Sequence, residues 1–299
     1  MARQSTAYVL IIFSALLFSC GGGGTEGESS DDLTTFDAEK HADSDVIKLD
    51  GELFSIPSPM QSAIFLKENG TGFREELLIS PSNLDSYQTG AQKAVALGVF
   101  GAELGYVSMY EENDKALSYM NAARKIADDI GISGAFSERL IERFSDNVGM
   151  PDSMVVLVSD IYEAADAYLK GNERNDVAAM VLFGGWIESL HLTCKEAEAG
   201  SETIMKRVAE QKSGFERLVR MMSKYSENTF MQDLQSDIDD LSKAYAEVES
   251  SYIFKQPEVN LAEQKTVLKG EVLHQMDTET LNAIIASTEA IRNQITGTK

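Results

Sequence analysis

The sequence predicts an all-α protein, built as an antiparallel helical bundle or an array of α–α hairpins. Three observations predict it. From about Asn83 onward, apolar residues recur at three- and four-residue spacing, the period of a helix with one face turned inward. Glycine, proline and capping residues fall where those runs stop. Two runs, Ile204 to Tyr225 and Met231 to Tyr252, keep the alternating four–three spacing of interlocking helices.

The N-terminus comes first. Residues 1–19 read as an export signal, with Arg3 as its positive start and a mostly apolar run of 12 residues from Ala7 to Phe18. That run is too short to cross about 30 Å of hydrocarbon as a helix, which needs about 20 residues. Leu17-Phe18-Ser19-Cys20 follows and resembles the lipobox of bacterial lipoproteins. The resemblance implies cleavage before Cys20, a diacylglyceryl group on its sulfur and an acyl chain on its new amine. Such an anchor exceeds the two-signal threshold for stable membrane attachment. Gly21 rather than Asp follows Cys20, which by the same resemblance favours the outer membrane. Residues 20–50, dominated by Gly, Ser and acid, read as a flexible, self-repelling tether, and 51–299 as a single helical domain.

Within 51–299, Gln61–Lys67 is a short helix candidate and Asn69-Gly70-Thr71-Gly72 a turn. The following helices are expected over 84–111, 114–130 (with Gly131 behind it), 135–147, 152–170 (with Asp152 as its cap), 175–199, 202–226, 230–253 and from Asp277 or Thr278 to about 295. The two seams are joined by about three residues, so 202–226 and 230–253 are expected to pair as an antiparallel hairpin. Residues 263–276 read equally as helix or extended chain, since Gly270 weakens either. Phe100-Gly101-Ala102 and Phe183-Gly184-Gly185 sit in two apolar helices, each followed by an amphipathic one, and suggest a duplicated hairpin of tetratricopeptide-like kind. Gly98, Gly101 and Gly105 share one side of their helix and would permit a close crossing.

The chain has 299 residues and a formal charge of −22. That balance argues against nucleic acid as a partner and against adsorption to an anionic lipid face. With Cys20 acylated, Cys194 is the remaining cysteine, so no internal disulfide is expected. No cofactor is expected either.

The residues of chemical interest are acids in apolar helices. Glu103 lies in VALGVFGAELGYVSMY and Glu188 in VAAMVLFGGWIESLHLTC. A buried carboxylate needs a partner or a raised pKa. Glu103, Trp186, Glu188 and His191 are therefore the candidate ligand or metal residues. Glu188–His191 and Glu271–His274 both read Glu-x-x-His, which with Glu103 and Glu163 would make a di-iron carboxylate set if all four elements were helices. His191 and Cys194 share a helix face, without an evident third group to orient a nucleophile. The outward acids Asp233, Asp237, Asp239, Asp240 and Glu247 read as a solvated face.

The stretch Leu97–Tyr106 continuing to Tyr110, then Ala122–Ile132, and loosely the chain from Pro57 on including Gly184-Gly185-Trp186-Ile187-Glu188, is similar to uncharacterised helical lipoproteins of Bacteroidota. That resemblance implies a compartment and a fold class but no catalytic residues. The expectation is a lipid-anchored envelope protein, not an enzyme, that acts as an interaction or scaffolding module with a protein partner. The alternative is a small-ligand or metal-binding lipoprotein with an inter-helix pocket around Glu103 and Glu188.

Overall fold

The computed structural model describes residues 46–49, 52–55, 58–260, 265–267 and 270–297. The export signal, Cys20 and the tether up to residue 45 lie outside the described residues. The all-α expectation holds at the level of class: the described residues are mostly helical, with little sheet.

Helix α1 (Pro59–Glu68) starts with Pro59 in its first turn, capped by Ser58 and Gln61 in a reciprocal box. Thr89 and Gln92 do the same for α2 (Gly90–Met109). Helix α3 (Asn113–Asp129) ends at Gly131, whose φ of +75° suits a residue without a side chain. Helix α4 (Glu138–Asn147) is capped by Ser137. In α5 (Pro151–Gly171) Met150, not Asp152, holds the cap position, because Pro151 occupies the first turn. Helix α6 (Asn175–Ala197) is long and apolar enough to cross a membrane, yet 83% of that apolar window is buried inside the protein.

Helices α2 and α6 form the centre. Val95 meets Gly184 in their first halves, while Arg74 links Tyr106 near the end of α2 (backbone N–H to hydroxyl, 3.1 Å) to Glu196 near the end of α6 (3.6 Å), so the two run in the same direction. Their backbones touch. A methyl group on Gly98 would overlap the Val181 carbonyl, and one on Gly184 the Val95 carbonyl. The other two glycines of the expected stripe serve different neighbours: Gly101 faces the Tyr162 ring of α5, and Gly105 faces Met60 of α1. Around this pair pack α1, α3, α5, α7 (Glu202–Glu210) and α10 (Thr278–Thr296).

The expected helix 202–226 is two helices, α7 and α8 (Lys212–Met222), joined at Gln211 with near-helical geometry. The expected helix 230–253 stops early: α9 is Thr229–Ala246, and 249–253 is a strand. The seam residues from Ile204 to Met222 and from Met231 to Val248 are buried as their spacing requires, but Tyr252 is 65% exposed. The main neighbour of α9 is α10 rather than α8, so the expected antiparallel hairpin is not the dominant pairing. Single links still join α9 to the earlier helices: the Tyr245 hydroxyl donates to the Val208 carbonyl at 3.2 Å, and its ring lies 5.3 Å from Phe215.

The described residues also form three two-stranded ribbons. Strands β1 (Val46–Leu49) and β2 (Glu52–Ser55) pair antiparallel, within and just past the stretch assigned to the tether. Strand β3 (Glu249–Ile253) pairs with β6 (Glu271–Gln275), and β4 (Glu258–Asn260) with β5 (Lys265–Val267). The ambiguous segment 263–276 is therefore extended where it is described. The β4–β5 pairing is nested in sequence within the β3–β6 pairing, and the two ribbons together are termed the β arm.

Candidate functional site

Glu103 and Glu188 come together, and what joins them is Arg292 of α10. All three sit on apolar stripes. Glu103 and Glu188 have no exposed surface, and Arg292 is 7% exposed. The guanidinium grips Glu188 in a fork, Nε to Oε2 at 2.7 Å and Nη2 to Oε1 at 3.0 Å, and Nη2 also donates to the Leu77 carbonyl at 2.6 Å. It stands 3.8 Å from Glu103. Glu103 Oε1 accepts the Ile79 backbone N–H at 2.6 Å, and the Ile79 carbonyl accepts the Tyr119 hydroxyl at 2.8 Å. The cluster thus ties α2, α6, α10 and the irregular segment at 77–79 to one another, with α3 attached through Tyr119.

Two acids and one cation do not balance. Burial, reinforced by the charge of Glu188, holds the Glu103 carboxyl well above the usual range, against the opposing pull of the Ile79 N–H and Arg292. A proton on Glu103 leaves one carboxylate facing one guanidinium, a neutral cluster. Among the described residues Glu103 Oε2 has no hydrogen-bond partner, which is tolerable for a neutral acid and costly for an ionised one. The Arg292 guanidinium keeps its proton more firmly than usual: burial alone would weaken it, but the Glu188 contact outweighs burial.

The sign of the pH effect follows. A carboxyl whose folded pKa lies above its unfolded one supports the fold fully below the ordinary carboxylate range, and that support is lost as pH rises through the folded value. Glu103→Gln keeps the shape and removes the ionisation. The wild-type urea midpoint is expected to fall between about pH 5 and about pH 9 by clearly more than the Glu103→Gln midpoint does. Equal falls in the two proteins would refute the protonated assignment.

The remaining candidates are placed as follows. Trp186 is two residues from Glu188, hence on the other side of α6, where it stacks on Phe215 at 5.4 Å and 20°. His191 is on the Glu188 side, 5% exposed, with Nδ1 lacking a partner among the described residues. Burial, together with Arg292, Lys195 and Arg74, pushes its imidazole down to about 2, so it stays neutral. Burial pushes the Cys194 thiol up, so these two do not form a thiolate–imidazolium pair.

The four-element metal set does not assemble. Glu271 and His274 are three apart on strand β6, so they point to opposite faces. Glu271 binds Lys255 at 2.6 Å, and His274 Nδ1 meets Ser250 Oγ at 2.9 Å. Among the described residues no group of three or more His, Cys, Asp or Glu could hold a metal ion. A cleft of about 60 Å³ lies elsewhere, lined by Phe183, Met222, Met231, Gln235 and Ile238 among others.

Sequence reasoning missed Arg292, Leu77 and Ile79. A signal for Arg292 exists: it falls on the buried stripe of α10 with Ile284, Ile285, Thr288, Ile291 and Ile295. A lone arginine on an apolar helical stripe calls for a buried acid, and the apolar helices α2 and α6 hold Glu103 and Glu188. No family model matches the chain, and no curated protein or solved structure matches it.

Proposed function

We propose that this chain is a lipid-anchored protein of the cell envelope, held by Cys20, with the outer membrane as its location, and that it acts as a non-enzymatic interaction or scaffolding module. The observation that supports this reading is the engagement of its buried acids. Glu188 and Glu103 are enclosed, and Arg292 occupies the space between them, so this chemistry holds helices together. What the chain offers outward is surface, including the acids Asp233, Asp239 and Asp240 exposed along α9. The tetratricopeptide-like reading belongs to the same proposal: α2 packs on α3 and α6 on α7, and the two leading helices run parallel.

The test is extraction from native membranes in mild detergent, with a tag after Lys299. The expected result is one protein partner in stoichiometric amount, released by salt and lost in Asp233→Lys with Asp239→Lys and Asp240→Lys. Recovery of the protein alone at low salt would overturn the interaction reading. Labelled fatty acid on the parent chain but not on Cys20→Ala tests the anchor separately.

A further inference from the structure

The exposed apolar side chains of this protein are gathered on the β arm. Among the described residues seven large apolar side chains are exposed, and six of them lie between Tyr252 and Val272. Tyr252 and Val272 face each other across β3 and β6, and the Tyr252 ring lies over Gly270. Phe254 and Val259 are 65% and 61% exposed, and β3 is exposed on both faces along its whole length. A two-stranded ribbon is marginal in water by itself, and a contiguous apolar surface marks a contact.

The arm is rooted on α7 and α8. Strand β6 lies against α7. Lys212 of α8 donates to the Val248 carbonyl just before β3, at 2.5 Å. Strand β2 lies against α8. These helices are also the basic part of an acidic protein. Between 202 and 224 stand Lys206, Arg207, Lys212, Arg217, Arg220 and Lys224. Only Glu202, Glu210 and Glu216 oppose them there, although the whole chain carries −22. Lys206, Arg220 and Lys224 are exposed. Fields of surface charge fade within about 8–10 Å at physiological salt, so this local excess, not the total, is what an approaching surface meets.

We propose that the β arm and the α7–α8 surface form the lipid-facing side of the protein. Tyr252, Phe254, Val259 and Val272 enter the interfacial zone of a bilayer, and the α7–α8 cations lie over anionic headgroups. An apolar arm rooted on the helices that carry the exposed cations Lys206, Arg220 and Lys224 fits an anionic membrane better than it fits an acidic second copy of this chain. The inference rests on the anchor reading only for the nearness of the membrane. Cys20 precedes Val46 by 26 residues, so an anchor there would hold the arm close to lipid and a weak affinity of the arm suffices to fix orientation.

The test reconstitutes the full chain into vesicles of phosphatidylethanolamine and phosphatidylglycerol containing nitroxide-labelled lipid. A fluorophore is attached through Val259→Cys, or through Ser118→Cys on the exposed side of α3 as a control. Signal from the labelled parent chain is subtracted from each. The expected result is quenching at 259 at least about threefold that at 118, reduced to the control level by Tyr252→Ser with Phe254→Ser and weakened by Lys206→Glu with Arg220→Glu. Circular dichroism checks that each variant stays folded. Equal quenching at the two positions overturns the proposal, as does absence of quenching at 259 combined with crosslinking of that residue to an envelope protein. Fatty-acid labelling of Cys20 is read independently: failure there removes the anchor, and quenching at 259 still decides which side meets lipid.

Discussion

Glu188→Ala is expected to lower stability by about 3–5 kcal/mol, because it leaves the Arg292 guanidinium buried without its counter-charge. The cost arises from desolvation. The fork from Nε and Nη2 vanishes, the nearest other acid stands 3.8 Å away, and that acid is itself held protonated. Ionising Glu103 to rescue Arg292 would then be favoured, so the variant should become less stable in acid than at neutral pH, the reverse of the Glu103 contribution in the parent. Urea denaturation across pH measures both. The double replacement Glu188→Leu with Arg292→Met removes the charges together and should recover much of the loss, since a buried ion pair exchanged for apolar groups of similar volume is often neutral. If the double variant is no better than Glu188→Ala, the cluster acts through shape rather than charge.

Gly98→Ala carries the next largest effect, a loss of about 2–3 kcal/mol, and Gly105→Ala is its control. Both substitutions add one methyl group and both improve helix propensity by about 1 kcal/mol. At Gly98 the added methyl group would overlap the Val181 carbonyl and come 2.6 Å from the Gly185 nitrogen, atoms that move only if α6 moves. At Gly105 the nearest atom is the Met60 methyl at 3.6 Å, an ordinary contact. The pair should therefore shift thermal midpoints in opposite directions. A loss at both positions would mean that Gly105 also lies against something rigid.

These contrasts show which parts of the fold could be read in advance. Helix starts near 202, 230 and 278 were legible because a cap acts locally: Ser201, Asn228 and Asp277 each accept a backbone N–H from the first turn behind them, whereas α2 and α4, expected from 84 and 135, start later, at Gly90 behind Thr89 and at Glu138 behind Ser137. Partners were not, since buried seams such as that of α9 state that a face is covered but not by what. The β arm was hidden by coincidence. Tyr252 continues the spacing of Val248 by four residues, although Ser250-Ser251-Tyr252-Ile253-Phe254 is rich in β-forming side chains. Strand β1 carried its own signal, since Asp50-Gly51 stands between Leu49 and Glu52, which pair. Glu103 and Glu188 were legible as buried acids, but the identity of their counter-ion required knowing where α10 packs. The glycine stripe was legible as close approach, whereas its division among α6, α5 and α1 was not.

The position of Arg292 also sets the order of events during folding. Its partners lie 104 and 215 residues earlier in the chain, at Glu188 and at the Leu77 carbonyl. A growing polypeptide therefore makes the two central acid-bearing helices long before it makes the cation that lets them close. Until α10 arrives, drawing Glu188 into the interior costs either the desolvation of an unpaired charge or the uptake of a proton, which disfavours closure of α2 and α6 around it. Contacts of such long range also make closure slow. Completion of the core is thereby tied to the emergence of α10, and the earlier segments stay loosely packed until it has been made.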